Sequence, residues 1–208
     1  MKTSLLLSIY KKNTNEELNR CFDSIRNQKY IPEEIILVID GLIDESVFFD
    51  IKKWSEVLPI KTFNLETNMG LAYALNYGIK LCTNDWVFRM DIDDVCANDR
   101  FLKQINIINS NPSIDILGGN ILCFESFPNF FSGRIVPNTY KKILRFMKYR
   151  NPINHPTVFF DRNKILDIGG YPNVRLGQDY LLWINAIANG LKIENLKDTL
   201  VYMQVDKN

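Results

Sequence analysis

Alternation of strand-like and helix-like segments is the feature that most limits how this chain can fold. Apolar, β-branched runs at residues 4–10, 34–39, 61–65 and 86–90 predict strands. Between them, apolar side chains recur at steps of three and four, as on one face of a helix. Such alternation over residues 1–110 is typical of a mostly parallel sheet flanked by helices, an α/β fold.

The second half of the chain is less regular. We predict helices at 47–57, from 71 onward, and at 100–109, 140–149 and 179–188, and further strands at 114–124, 130–136, 158–160 and 199–204. Two prolines and two asparagines predict a loop at 151–156. The 208 residues contain no repeat and no linker, so we expect one domain, with a nucleotide-binding half at 1–110 and an acceptor-binding half at 111–208.

Charge and cysteine content exclude several functional classes. The 25 Lys and Arg nearly balance the 24 Asp and Glu, which argues against a nucleic-acid partner. Four scattered cysteines and a single His make a Cys/His zinc site unexpected, and they suggest core thiols in a reducing compartment. No apolar run has the length of a signal peptide core or a membrane span, so we expect a cytoplasmic protein.

Acidic residues follow two of the predicted strands. Asp40 ends the second, and Asp91, Asp93 and Asp94 follow the fourth. Parallel sheets bind ligands at the carboxyl ends of their strands. Side-chain alternation would place Asp91 and Asp93 on one side, where they could hold a hard divalent cation. A solvated acidic turn explains the cluster equally well.

The other candidate residues each have an ordinary structural explanation. Asp40 precedes Gly41 and suits a turn, and Arg89 could pair with Asp91 or with a phosphate. Asp179 stands where a predicted helix begins, so it could be a first-turn acid.

Two further features also leave alternatives open. The only histidine, His155, lies between Asn154 and Pro156, and a lone histidine is more often structural than catalytic. The basic segment 140–150 could be a solvated helix, or it could approach an anionic membrane surface.

Taken in order, these segments resemble the family 2 glycosyltransferases, which have the GT-A fold. The similarity is to bacterial enzymes that build O-antigen and exopolysaccharide repeat units, and it covers nearly the whole chain. The matching motifs are residues 4–10, 34–41, 68–78, 89–94, 151–157 and 178–183. Each motif is weak alone, but their order and strand context together are specific.

The resemblance implies a role for each candidate. Asp40 would contact the donor nucleoside, Asp91 and Asp93 would hold Mg²⁺ or Mn²⁺ against the diphosphate, and Asp179 would be the general base. The resemblance adds Tyr10, Asn68 and Arg89 as donor-binding residues, and Asp94, His155 and Gln178 as acceptor or phosphate contacts. Members of this kind invert the anomeric centre.

The chain departs from the family pattern at three places. Gln178 stands where many members have a first acid, which leaves Asp179 alone, and one aspartate, Asp40, stands where many have a pair. The Gln-x-x-Arg-Trp motif of polymerising members is missing, which predicts addition of a single sugar. Members often continue beyond the strand predicted at 199–204. We therefore expect that a C-terminal tail is absent here or has been removed.

We therefore expect an enzyme that transfers one sugar from a nucleoside-diphosphate donor, with UDP preferred from family habit. The acceptor would be a hydroxyl of a glycan or a lipid-linked glycan, with at most peripheral contact at the inner face of the bacterial membrane. One alternative is a sugar-nucleotide nucleotidyltransferase, although residues 8–13 lack the glycine-rich phosphate loop of that class. The other is a catalytically inactive sugar-nucleotide-binding module.

Overall fold

The computed structural model describes residues 1–205. The helices within them are α1 (Asn15–Arg26), α2 (Glu45–Ser55), α3 (Leu71–Leu81), α4 (Arg100–Ser110), α5 (Tyr140–Phe146), α6 (Arg162–Asp167) and α7 (Gln178–Ala188). The strands are β1 (Thr3–Ile9), β2 (Glu34–Asp40), β3 (Ile60–Leu65), β4 (Trp86–Arg89), β5 (Val95–Cys96), β6 (Ile116–Ser126), β7 (Asn129–Arg134), β8 (Phe159–Asp161) and β9 (Ile193–Gln204).

One continuous sheet runs through both halves of the described chain. Its order is β3-β2-β1-β4-β8-β6-β9-β5, and β7 pairs with β6 outside this path. The strands β1 to β4 are mutually parallel, as the alternation predicts. Strand β8 enters between β4 and β6 and runs antiparallel to both, whereas β9 is parallel to β6. The carboxyl ends of β1 to β4 therefore all lie on the same side of the sheet.

Both faces of the central strands are covered, which explains why they are apolar throughout. Leu5 and Leu7 pack on one face in a core shared with α1, α2 and α4. Leu6 and Val38 point to the opposite face and pack with α3 and α7. Adjacent side chains of a strand alternate between faces, so a strand buried on both sides needs a continuous apolar run.

The cysteines and the apolar segments agree with the expectations. Cys21, Cys82, Cys96 and Cys123 are all buried free thiols. Among the described residues, no helix combines the length and the apolar character that a membrane crossing requires.

Helix α5, helix α6 and strand β9 differ from the predicted elements, each for a local reason, and the two-residue strand β5 was not predicted. Helix α5 ends at Phe146, and turns rather than helix follow it to Tyr149. Helix α6 was not predicted, because its six residues are too few to show periodicity, and its start is fixed by Asp161 accepting from the Lys164 amide. Strand β9 begins at Ile193, six residues before the predicted start, where polar residues and register shifts hide the pattern.

Candidate active site

The carboxyl ends of β1, β2 and β4 border a cleft of about 280 Å³, which we call the sheet-edge cleft. Its lining includes five residues expected from the sequence to bind donor or metal: Tyr10, Asp40, Asn68, Asp91 and Asp93. These positions are up to 83 residues apart in sequence, and the parallel strand order brings them together.

Asp40 fixes the loop that leads into α3. Its Oδ1 accepts a hydrogen bond from the Met69 amide at 2.7 Å, and its Oδ2 accepts one from the Gly70 amide at 2.9 Å. Gly41 has a φ of 83°, and a Cβ there would lie 2.7 Å from the Asn68 nitrogen. A glycine therefore allows this loop to approach the end of β2.

Asn68 and Tyr10 both line this cleft. The Asn68 side chain donates to the Asp40 carbonyl at 3.2 Å. The Tyr10 amide donates to Asn13 Oδ1 at 3.1 Å, and the Tyr10 side chain is 41% exposed. Tyr10 thus presents an accessible aromatic ring at the cleft, as a nucleoside contact requires.

Asp91, Asp93 and Asp94 converge within a turn. Ligand oxygens of the three carboxylates lie within 4.8 Å of one another. Strand β4 ends at Arg89, and the Asp94 amide donates to the Asp91 carbonyl at 3.4 Å. The expected convergence of Asp91 and Asp93 is therefore present, but the explanation by strand alternation is wrong. The turn brings Asp94 into the cluster as well.

Two arginines and a backbone amide support this acidic turn. Arg89 is 1% exposed and pairs with Asp91 Oδ1, so its guanidinium lies behind the carboxylate rather than in the cleft. Arg20, from α1, donates to the Asp93 carbonyl at 3.2 Å and also bonds the Gln204 side chain. The backbone amide of Gln204 in turn donates to Asp94 Oδ1 at 3.0 Å.

The electrostatics of the turn suit a divalent cation. Burial and repulsion by Asp91 raise the pKa of Asp93 to about 7. Burial, Asp91 and Asp93 raise the pKa of Asp94 well above its usual range, and Asp94 Oδ2 is buried with no hydrogen-bond partner in the described chain. Closely spaced carboxylates of this kind are relieved by a hard cation, which prefers oxygen ligands.

A second cleft of about 450 Å³ contains Asp179, and we call it the hairpin cleft because three residues of β7 line it. Asp179 is the second residue of α7 and makes no capping hydrogen bond, since Gly177 is the N-cap residue. Its Oδ2 accepts from the Asn151 side chain at 2.6 Å. Asp179 therefore does not cap the helix, but it is an acid of the first turn, as the structural alternative predicted.

His155 also lines the hairpin cleft. Its Nε2 lies 2.8 Å from the Tyr171 hydroxyl, and its ring lies edge-on to Tyr171 and Trp183. Burial and the charge of Arg89 lower the pKa of His155 well below its usual range. The imidazole is therefore neutral near pH 7 and can share one hydrogen bond with Tyr171 while facing the cleft.

Two predicted contacts lie elsewhere. Gln178 lines a separate cleft of about 250 Å³ with Met69, Gly70 and Arg175. Asp94 is 1% exposed and lies inside the acidic turn. It lines neither the sheet-edge cleft nor the hairpin cleft.

Sequence reasoning missed Asn151 and the pair formed by Arg20 and Gln204. Asn151 lay inside a recognised motif, but its spacing of 28 residues from Asp179 gives no signal of contact. Arg20 and Gln204 are 184 positions apart, and each belongs to a segment that resembles an ordinary amphipathic element.

A sheet of this order, with a carboxylate turn after β4, is the GT-A fold. S. aureus TarS 1–349 in complex with UDP-GlcNAc superposes with a TM-score of 0.76 at 21% identity, covering 100% of this chain and 60% of that one. The mannosyltransferase PcManGT from Pyrobaculum calidifontis, in complex with GDP-Man and Mn²⁺, gives 0.75 at 16% identity and coverage of 99% and 57%. The chain thus spans less than two thirds of these solved chains.

The chain belongs to glycosyl transferase family 2, whose model matches residues 4–168. It is 40% identical over 206 residues to an uncharacterized glycosyltransferase of Haemophilus influenzae, covering 99% of this chain and 76% of the relative. It is 37% identical to the Escherichia coli UDP-Gal:alpha-D-GlcNAc-diphosphoundecaprenol beta-1,3-galactosyltransferase, with coverage of 99% and 75%. The amylovoran biosynthesis glycosyltransferase AmsE of Erwinia amylovora is 35% identical, with coverage of 95% and 74%.

Proposed function

We propose that this chain transfers one sugar, with inversion, from a UDP-sugar to a hydroxyl of a lipid-linked glycan in cell-surface polysaccharide synthesis. Residues 1–110 would bind the donor and residues 111–208 the acceptor. The family assignment favours this reaction over nucleotidyl transfer. Peripheral contact with the cytoplasmic face of a membrane belongs to the same proposal, because the acceptor is anchored in lipid.

One observation carries the proposal: Asp91 lines both the sheet-edge cleft and the hairpin cleft. On one side it faces the sheet-edge cleft with Tyr10, Asp40 and Asn68. On the other side it faces the hairpin cleft with Asp179. A donor lying in the first cleft would therefore have its diphosphate at the junction, and the transferred sugar would point toward Asp179.

The acidic turn would hold Mn²⁺ or Mg²⁺ through Asp91 and Asp93. Bound there, the cation would offset the negative charge of the departing nucleoside diphosphate. Arg89 keeps Asp91 oriented through their ion pair, and Arg20 holds the backbone of Asp93. Asp40 and Asn68 shape the nucleoside end of the cleft by fixing the loop before α3.

Asp179 has the environment of a general base. Asn151 holds Oδ2, and the described hydrogen bonds leave Oδ1 available to take the proton of an acceptor hydroxyl. The carboxylates that line the hairpin cleft are Asp91 and Asp179. With Asp91 engaged at the diphosphate, the described residues of the cleft include no second carboxylate to act as a nucleophile, which supports direct displacement and inversion.

The donor and acceptor classes rest on similarity. TarS was solved with UDP-GlcNAc, and the E. coli relative is named for UDP-galactose and a diphosphoundecaprenol-linked sugar. We extend the carrier UDP and the lipid-diphosphate acceptor class to this chain, with neutral His155 as a candidate acceptor or phosphate contact.

A donor screen tests the proposal. The purified chain is incubated with UDP-, GDP- and dTDP-sugars and acceptor lipid, with Mn²⁺, Mg²⁺ or chelator, and diphosphate release and product anomer are measured. We expect metal-dependent release from UDP-sugars and an inverted linkage. In Asp179→Asn, turnover should fall by about 10²–10⁴, the usual contribution of a general base, while donor binding persists. Unchanged turnover in this variant, or full activity in chelator, would refute the proposed site.

A further inference from the structure

The hairpin formed by β6 and β7 exposes aromatic side chains at its tip. Phe127, Phe130 and Phe131 are 37%, 42% and 49% exposed. Phe127 and Phe130 meet edge to face and both contact Tyr202, with the ring centres of Phe130 and Tyr202 4.7 Å apart. Among the described residues, the one other phenylalanine this exposed is Phe49 on α2. Clustered exposed aromatics of this kind indicate a binding surface.

The same segment concentrates the positive charge of the chain. Residues 127–150 contain six of the 25 Lys and Arg and none of the 24 Asp and Glu, so the rest of the chain has an acidic excess. All six cations are exposed: Arg134, Lys141, Lys142, Arg145, Lys148 and Arg150. None of them belongs to an ion pair formed between described residues. The surface therefore complements an anionic partner.

This segment borders the proposed catalytic base. Ser132, Gly133 and Arg134 line the hairpin cleft. The Arg134 guanidinium donates to the carbonyl of Asn151, the residue that holds Asp179. A partner bound along residues 127–150 would thus lie beside the opening through which an acceptor reaches Asp179.

We infer that residues 127–150 form a docking surface for an anionic lipid bilayer, with the hairpin aromatics at the headgroup–acyl boundary and the cations over the headgroups. Exposed Phe rings and Ile135, 83% exposed, favour a bilayer over a dissolved polyanion, which has no apolar layer to receive them. This inference rests on the proposed function in one respect: a lipid-linked acceptor would bring the chain to a membrane.

Sedimentation with lipid vesicles tests the surface without donor or acceptor, so its outcome is independent of whether the chain proves to be a transferase. We expect the full chain to bind phosphatidylglycerol–phosphatidylethanolamine vesicles and not phosphatidylcholine vesicles. Lys141→Gln with Lys142→Gln should lower the partition coefficient about thirtyfold, the factor expected for two cations near such a surface. Phe130→Ser with Phe131→Ser should lower it about tenfold or more.

Helix α2 supplies matched controls. Phe49 is 60% exposed and lies beside Lys52 and Lys53. Phe49→Ser, and Lys52→Gln combined with Lys53→Gln, therefore remove the same kinds of side chain from a different surface. These variants should bind vesicles like the unmodified chain, and thermal melts establish that every variant is folded. Failure to bind anionic vesicles, equal loss in the α2 variants, or equally tight binding to a soluble polyanion such as oligo-dT would overturn the inference.

Discussion

Two nearly inaccessible carboxylates lie at opposite ends of the parallel strands. Glu34 begins β2 and is 2% exposed, and Asp94 follows β4 and is 1% exposed. Glu34 accepts hydrogen bonds from Ser4, Lys61, Asn84, and both the amide and the hydroxyl of Thr83. Asp94 accepts from one amide, and its Oδ2 has no partner among the described residues.

The pKa values of the two edges move in opposite directions. Burial alone would raise the pKa of Glu34, but hydrogen bonds from Lys61, Ser4 and Thr83 lower it to about 2. At the other edge, burial and Asp91 raise the pKa of Asp93 to about 7. One edge therefore stabilises the fold through a satisfied charge, whereas the other retains crowded negative charge that a ligand can relieve. A stabilising carboxylate and the proposed metal-binding carboxylates thus lie at opposite ends of the parallel strands.

The largest expected effect comes from removing one of the crowded charges. Asp93→Asn should lower sugar-transfer turnover at least about a hundredfold, because the departing diphosphate loses part of its electrostatic stabilisation. In chelator, the same variant should melt about 2–4 °C higher, since about 1 kcal/mol of carboxylate repulsion disappears. Turnover assays and thermal melts measure both changes.

Asp44→Asn is the control for this change, because Asp44 is exposed and lies before α2, away from the clefts. It should alter neither turnover nor melting. Full activity of Asp93→Asn would contradict the proposal that the carboxylates after β4 serve the reaction.

At the other edge, Glu34→Gln should affect stability and spare chemistry. Gln offers a single acceptor oxygen to donors that now share a carboxylate, so we expect a loss of about 2–3 kcal/mol in the free energy of unfolding. Lys61→Gln removes only a half-exposed partner and should cost less than about 1 kcal/mol. Urea unfolding measures both, and turnover well below the melting temperature should be unchanged.

The stability provided by Glu34 should depend on pH in a defined window. Its pKa is about 2 in the folded chain and 4.5 as a free group, so the deprotonated form favours folding. The contribution is complete above pH 4.5 and disappears as the pH falls toward 2. The difference in unfolding free energy between the unmodified chain and Glu34→Gln should shrink across that window. A difference that stays constant down to pH 2 would contradict the assignment.

The smallest expected effect concerns Asp179, which has one side-chain donor. Asn151→Ala should lower kcat about tenfold, because the Asp179 carboxylate loses the hydrogen bond that orients it. The KM for the donor should not change. Asn106→Ala, exposed on α4, is the matched control. An unchanged kcat with a lower melting temperature would indicate that Asn151 is only structural.

Periodicity was sufficient for the elements near the amino end. Strands β1 to β4 and helix α3 were predicted close to their observed bounds, because buried parallel strands need continuous apolar residues and helices need a period of 3.6. The polar interruptions of β9 and the shortness of α6 gave no such signal. The candidate site shows the same division: Asp40 and Asp91 were predicted because one ends a strand and the other follows one, whereas Asn151 was not.

The amino-acid sequence by itself determined the α/β class, the family and the positions of the acidic residues, since these depend on local pattern and order. Only the tertiary structure decided that Asp91 borders two clefts, that Arg89 lies behind it, and that Asn151 holds Asp179. Contacts of that kind depend on strand order and on turns between distant segments, and neither leaves a periodic trace along the chain.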